Sequence, residues 1–137
     1  MNHLFADTAN LEEIITANNI GAIQGVTTNP SIIAKEPKGN FDNLIYSLAE
    51  YCGSENLSLS VEVFATEYDQ IVRQASEIYE KFISICPDLY VKIPVGFDEL
   101  KAIKVCSKKG IKVNATICYS EQQLQLCASA GAKYVSL

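Results

Sequence analysis

Short apolar runs alternate with segments of helical period from one end of this chain to the other, and that alternation restricts its fold more than any other feature. Residues 3–6, 25–28, 58–63, 90–95, 111–117 and 134–137 read as strands, each four to seven residues long and bounded by turn or cap residues. Between them, Asn10 followed by Glu13 has the form of a helix cap with a reciprocal acid, and a first helix runs to about Gly21. Asn29-Pro30-Ser31 turns the chain after the second strand, and Phe41, Leu44, Ile45 and Leu48 repeat at helical spacing. Thr66 and Asp69 open a helix carrying Ile71, Val72, Ala75, Ile78, Tyr79 and Phe82, closed by Pro87. A further helix passes through Leu100 and Ile103 to about Gly110, and Ser120 with Gln123 caps the last, which stops at Gly131.

Strict β/α alternation implies parallel strands joined by right-handed crossovers, so the expected class is α/β. No GxGxxG follows the first strand and no P-loop occurs, which removes support from the nucleotide-binding forms of that architecture. The 137 residues, 48% hydrophobic, suffice for one packed core, and no linker, repeat or low-complexity stretch interrupts them. A single domain over residues 1–137, with no second domain, is the expectation.

A formal charge of −5 without any Lys/Arg cluster argues against a nucleic-acid or anionic-membrane partner. No run approaches the ~20 apolar residues of a membrane span, and no basic, then apolar leader opens the sequence. Cys52, Cys86, Cys106, Cys118 and Cys127 are odd in number, widely spaced and without a CxxC pair. They read as reduced packing residues of a cytoplasmic protein, and with His3 as the sole imidazole no metal site is expected.

Within a strand, residues two apart share a face. One parity is apolar: Leu4 and Ala6, Val26, Leu59 with Val61 and Val63, Val91 with Ile93 and Val95, Val113 with Ala115 and Ile117, and Val135. The other carries Asp7, Thr27, Asn29, Glu62, Lys92, Asn114, Thr116 and Ser136, mostly near the carboxyl ends of the strands. In a (β/α) barrel the inward residues at those ends line the active site, whereas the rest of the interior is filled by branched aliphatics. Taken singly, each has a local reading. Asp7 and Asn29 could cap the helices that follow, Thr27, Thr116 or Ser136 could bond a neighbouring carbonyl, and Lys92 could snorkel to water. Taken together, carboxylates and an amine facing one cavity are too unfavourable to bury without a use.

Lys92 stands in Tyr90-Val91-Lys92-Ile93-Pro94-Val95, otherwise the pattern of a strand buried on both faces. Burial disfavours the charged form of an amine and so favours its nucleophilic form. Such an amine could condense with a ketone to an imine, whose cationic nitrogen withdraws electrons and permits carbon–carbon cleavage. Asp7 and Glu62 would move protons, one at the substrate hydroxyl and one through water at the imine carbon. Asn29, Asn114, Thr27, Thr116 and Ser136 offer neutral hydrogen bonds to a polyhydroxylated chain, and no metal or other cofactor is required.

Over essentially its whole length the sequence resembles the small transaldolases and their relatives, the fructose-6-phosphate aldolases. The resemblance is carried by Asp7-Thr8-Ala9-Asn10, Gly25-Val26-Thr27-Thr28-Asn29-Pro30-Ser31, Ser60-Val61-Glu62-Val63, Val91-Lys92-Ile93-Pro94 with Leu100-Lys101-Ala102-Ile103-Lys104, Gly110-Ile111-Lys112-Val113-Asn114-Ala115-Thr116, and Ala130-Gly131-Ala132-Lys133-Tyr134-Val135-Ser136. It implies a Schiff-base lysine at Lys92, a general acid/base at Asp7, and a second acid at Glu62 acting through a water held with Thr116. It further implies that Thr27, Asn29, Asn114 and Ser136 bind the dihydroxyacetone unit of a sugar phosphate. The aldolase branch usually has glutamine where Glu62 stands, so the carboxylate favours transfer of dihydroxyacetone between sugar phosphates, in the pentose phosphate pathway. Aldolase-type cleavage and a catalytically silent binding or assembly module are the alternatives.

Family members continue past the sixth strand with a proline, an aromatic and a Gly-Arg or Asn-Arg step whose arginine binds phosphate. The resemblance therefore implies a (β/α) TIM-barrel type of parallel sheet with covering helices, incomplete here at about six strands of eight. Bare strand edges favour association, and a homo-oligomer whose copies cover each other's open edges is expected.

Overall fold

The computed structural model describes residues 3–37 and 39–137. Its elements follow the expected alternation: β1 (Phe5–Asp7), α1 (Leu11–Asn19), β2 (Gly25–Thr27), α2 (Pro30–Ile33), α3 (Phe41–Ser54), β3 (Ser58–Glu62), α4 (Tyr68–Phe82), β4 (Leu89–Pro94), α5 (Phe97–Lys108), β5 (Val113–Thr116), α6 (Glu121–Ala130) and β6 (Tyr134–Val135). β1 pairs with β2, β2 with β3, β4 with β5 and β5 with β6, all in parallel. The strand order is the chain order. A doubly wound sheet reverses its order at a switch point, whereas a (β/α) barrel does not, so the architecture is α/β of the incomplete barrel type. No helix among the described residues is long and apolar enough to cross a membrane.

The chain divides into two compact units, Met1–Val61 with Phe82–Leu89, and Glu62–Lys81 with Tyr90–Leu137. In the first, Ile14 of α1 and Ile45, Leu48, Ala49 and Cys52 of α3 are buried, as are Val26, Leu59 and Val61 of the strands. Each fully buried large aliphatic side chain contributes about 1.5–3 kcal/mol. The α1 cap forms as the sequence predicts, Asn10 Oδ1 accepting from Glu13 N at 3.1 Å. Its reciprocal bond runs through a third residue: the Thr8 hydroxyl donates to Glu13 Oε2 at 2.6 Å and accepts the Asn10 N–H at 3.0 Å. Asn29 and Pro30 are the N-cap and first residue of the short α2, so the turn that the sequence predicts here includes one helical turn. Leu4, expected on the apolar face of the first strand, precedes β1 and is 60% exposed.

In the second unit Ile71, Ala75 and Ile78 of α4, Ala102, Ile103 and Cys106 of α5, Val91 and Ile93 of β4, Val113 and Ala115 of β5, and Cys127 of α6 are buried. α4 begins at Tyr68, two residues later than Thr66, because Glu67 O takes the first helical bond, from Ile71 N at 2.8 Å. α6 opens on Ser120, whose side chain accepts from Gln123 N at 3.2 Å, and closes on Gly131 at φ +108, a left-handed position suited to glycine. Ile117 departs from the expected strand. It takes φ +61, costly for a β-branched residue, and is 44% exposed. The left-handed step ends β5 at Thr116 and turns the Cys118 N–H to Ser136 O, at 3.2 Å. Ser136 lies beyond the assigned strand β6 yet continues the ladder, donating its N–H to Ala115 O at 2.7 Å.

Candidate active site

All five residues of β3 are buried, including the polar Ser58, Ser60 and Glu62 of one parity. β4 buries Lys92 between Val91 and Ile93. Lys92 is 6% exposed and Glu62 7%, and Lys92 Nζ lies 3.7 Å from Glu62 Oε2. That is an ion pair in a low-dielectric setting, though longer than the ~2.7–2.9 Å of a charge-assisted hydrogen bond. The two side chains adjoin without being locked together. Their backbones are also tied, the N–H of Val63, next after Glu62, donating to the carbonyl of Lys92 at 3.1 Å.

β5 sets Asn114 level with Lys92 and Thr116 level with Pro94. Both are buried. The Ser136 hydroxyl donates to Asn114 Oδ1 at 2.8 Å, which turns the Asn114 amide so that its NH2 group remains the donor end. Two residues earlier on each strand stand Tyr90, Lys112 and Tyr134, and these three also meet. The Tyr90 and Tyr134 rings lie 4.7 Å apart at 44°, and Lys112 Nζ sits 5.2 Å from the centre of the Tyr90 ring. A tilted ring pair with an ammonium beside it thus lies two residues before Lys92, Asn114 and Ser136 within the second unit.

The first unit holds the remaining candidates. Register places Asp7 level with Thr27, and Thr27 level with Ser60. The Thr27 hydroxyl donates to Asp7 Oδ1 at 2.8 Å. A hydroxyl has one proton, so Thr27 can only accept from any further partner. Asn29 Oδ1 accepts from Ile32 N at 2.9 Å and so caps α2, the local reading its sequence position had left open. Beneath Asp7, Thr27 and Ser60 come Phe5, Gly25 and Ser58. A Cβ at Gly25 would collide with the Ser58 hydroxyl and the Phe5 ring, so only glycine lets these two neighbours close over the strand.

The eight candidates therefore fall into two sets, Lys92, Glu62, Asn114, Thr116 and Ser136 in one unit and Asp7, Thr27 and Asn29 in the other. Ser58 and Ser60 are buried polar residues of the Glu62 parity that the sequence reading passed over. The signal for them was present, since Ser58-Leu59-Ser60-Val61-Glu62 alternates throughout. Among the described residues no three His, Cys, Asp or Glu side chains are grouped so as to hold a metal ion.

The family model described as Transaldolase/Fructose-6-phosphate aldolase matches residues 4–137. A protein of Cytophaga hutchinsonii named "Probable transaldolase" is 44% identical over 132 residues, covering 96% of this chain and 59% of that protein. Proteins of the same name from Porphyromonas gingivalis and a Geobacillus strain are 41% and 42% identical, each over 96% of this chain and 58% of their own length. The chain thus spans somewhat under three-fifths of the curated relatives it matches. Among solved structures, a 2,3-dimethylmalate lyase aligns with a TM-score of 0.58 at 11% identity, over 98% of this chain and 56% of that one. A Bacillus subtilis protein with an EAL domain aligns with a TM-score of 0.55 at 15% identity, over 98% and 36%. Likeness at such identities concerns the fold alone.

Proposed function

Because the chain belongs to the transaldolase/fructose-6-phosphate aldolase family, we propose that it performs Schiff-base chemistry on Lys92, transferring a dihydroxyacetone group between sugar phosphates as in the pentose phosphate pathway. The observation that carries this reading is a primary amine buried within a strand, 3.7 Å from a buried carboxylate.

In this mechanism the Lys92 amine attacks the ketone carbon of a ketose phosphate, and loss of water leaves an imine. The protonated nitrogen draws electrons from the chain of the sugar. A hydroxyl on the far carbon gives its proton to Asp7, the carbon–carbon bond breaks, and the aldehyde portion departs with an enamine left on Lys92. An aldose phosphate then adds to the enamine, and hydrolysis of the new imine frees the product and the amine. Glu62 serves the proton transfers at the imine carbon through a water held with Thr116. Asn114, its amide turned by Ser136, donates to the dihydroxyacetone hydroxyls, and Thr27 and Asn29 bind the same unit. The carboxylate at Glu62, where the aldolase branch usually has glutamine, supports transfer over simple cleavage.

The test is product formation from a ketose phosphate with and without an aldose phosphate acceptor. Turnover that requires the acceptor is the expected result. Release of free dihydroxyacetone without acceptor would convert the reading to an aldolase, and folded protein that consumes no ketose under either condition would overturn it.

A further inference from the structure

Cys118 and Cys127 are both fully buried, and their sulfurs lie 3.8 Å apart, one thiol donating to the other. Cys118 follows β5 and Cys127 stands on α6, so the contact joins the end of a strand to the next helix within the second unit. By strand alternation Cys118 would share the face of Asn114 and Thr116. The left-handed backbone of Ile117 interrupts that alternation directly before it, and the Cys118 side chain meets α6 instead. A β-branched residue in this region is strained, and such a backbone persists only where its surroundings over-determine it. The main chain holds both cysteines as well: Cys118 donates its N–H to Ser136 O at 3.2 Å, and Cys127 O accepts the N–H of Ala132 at 3.1 Å.

A cysteine oxidised alone stops at the sulfenic acid or climbs to the sulfinic, whereas a second thiol in contact diverts it to a disulfide. That bond brings the sulfurs to about 2.0 Å, a short closure for two that already touch. Both thiols are buried, yet each has an exposed neighbour in the chain, Tyr119 at 80% and Leu126 at 53%. The opening that admits a small oxidant is therefore a local one, in the connection from β5 to α6.

We propose that Cys118 and Cys127 form an oxidisable dithiol, a modification site that takes a peroxide and yields an intramolecular disulfide between the end of β5 and α6. One sulfur attacks a peroxide oxygen, the O–O bond breaks, and a sulfenic acid forms with release of water. The second sulfur then attacks the first, the S–S bond forms, the S–O bond breaks, and a second water leaves. Two thiols and one hydrogen peroxide thus give one disulfide and two waters, and a small dithiol reverses the step by exchange. The site borders the candidate active site, because Cys118 stands two residues beyond Thr116 and is bonded to Ser136. It does not depend on the reading of Lys92, and protein that forms no imine can still form this bridge.

The experiment treats the reduced, folded protein with hydrogen peroxide, blocks remaining thiols by alkylation in denaturant, and maps tryptic peptides by mass. Lys112 and Lys133 flank both cysteines with no Lys or Arg between, so the two fall in one peptide, 113–133. That peptide is expected to lose two hydrogens and to resist alkylation, and dithiothreitol should restore its mass and both alkylation sites. Cys52, Cys86 and Cys106 should be recovered alkylated from the same sample. Cys127→Ser, or Cys127→Ala where serine prevents folding, should gain oxygen at Cys118 and never yield the lighter peptide. Wild-type protein that keeps five alkylatable thiols under excess peroxide would overturn the proposal. So would oxygen uptake at Cys118 or Cys127 without a link, a bridge between another pair, or a loss of two hydrogens that dithiothreitol does not reverse.

Discussion

Glu62 and Asp7 are both carboxylates at the carboxyl ends of strands, and their surroundings are opposite. Glu62 is 7% exposed and faces the Lys92 amine, whereas Asp7 is exposed and is held by a hydroxyl, that of Thr27. The first lies where a charge is poorly solvated and its partner matters greatly. The second lies where water screens it and one neutral hydrogen bond is a small matter. The difference teaches that two carboxylates at equivalent strand ends can be set apart by burial alone. Under the proposed chemistry, the carboxylate beside the amine would work through a trapped water, and the one near solvent would take a proton from a sugar hydroxyl and release it.

Activity offers the largest effects with which to break this comparison. Lys92→Met should abolish turnover by at least about a thousandfold, since no other group in the proposed chemistry can form the imine. Asp7→Asn and Glu62→Gln should each lower kcat by roughly a hundredfold to ten-thousandfold, the usual range for a lost general acid or base. Steady-state rates of the three variants check this, and wild-type rates in Asp7→Asn would confine the chemistry to the buried pair.

Stability separates the two carboxylates more sharply. Removing one partner of a buried ion pair leaves an uncompensated charge, so Glu62→Ala should destabilise by about 3–5 kcal/mol. Replacing both partners, Lys92→Met with Glu62→Leu, should instead be neutral or stabilising by up to about 4 kcal/mol, the mark of a pair retained for use and not for folding. Thr27→Val, which strips the hydroxyl from Asp7 in an exposed setting, should cost about 1 kcal/mol or less. Denaturant unfolding of the three variants tests the order, and equal losses for Glu62→Ala and Thr27→Val would erase the distinction drawn here.

The smallest effect concerns the cysteines, which lie buried and outside any disulfide in both units. Burial pushes the Cys52 thiol from 9.0 up to about 12, with nearby Cys86 adding to it. Burial does the same to Cys127, from 9.0 to about 12, helped by a contact with Cys118 whose sulfur lies 3.8 Å away. Both pKa values are raised on folding, so the stability they contribute is complete below about pH 9 and is lost as pH climbs towards 12. Folded protein at pH 8 should react with a thiol reagent only as fast as it opens, and prompt labelling of either cysteine would contradict their burial.

Much of this arrangement could be read in the sequence because it depends on period and on caps. The β/α alternation, the caps at Asn10 and Ser120, and the stop at Gly131 are written in local residue types. The burial of Lys92 was legible as well, since its neighbours Val91 and Ile93 leave little room for water on a parallel strand. Other features depend on contacts that no local pattern encodes. Ile117 belongs by type to a strand, yet it takes a left-handed backbone beside the bond from Cys118 N to Ser136 O, a contact 18 residues away in the chain. α2 has a cap and a proline in the right places but is four residues long, too short for any periodicity to reveal. Gln74 looks like an ordinary polar helix residue, and its bonds to Phe64 and Ala65 emerge only once α4 is set beside the end of β3. The Asn114–Ser136 bond similarly joins residues 22 apart in the chain.

The central claim is that the amine of Lys92 forms a covalent bond with a ketose. Borohydride reduction in the presence of fructose 6-phosphate, followed by peptide mapping, tests it most directly. The account predicts one stable adduct, on the peptide containing Lys92, absent when ketose or borohydride is withheld and absent from Lys92→Met. An unmodified Lys92 in demonstrably folded protein, or an adduct confined to a different lysine, would contradict it.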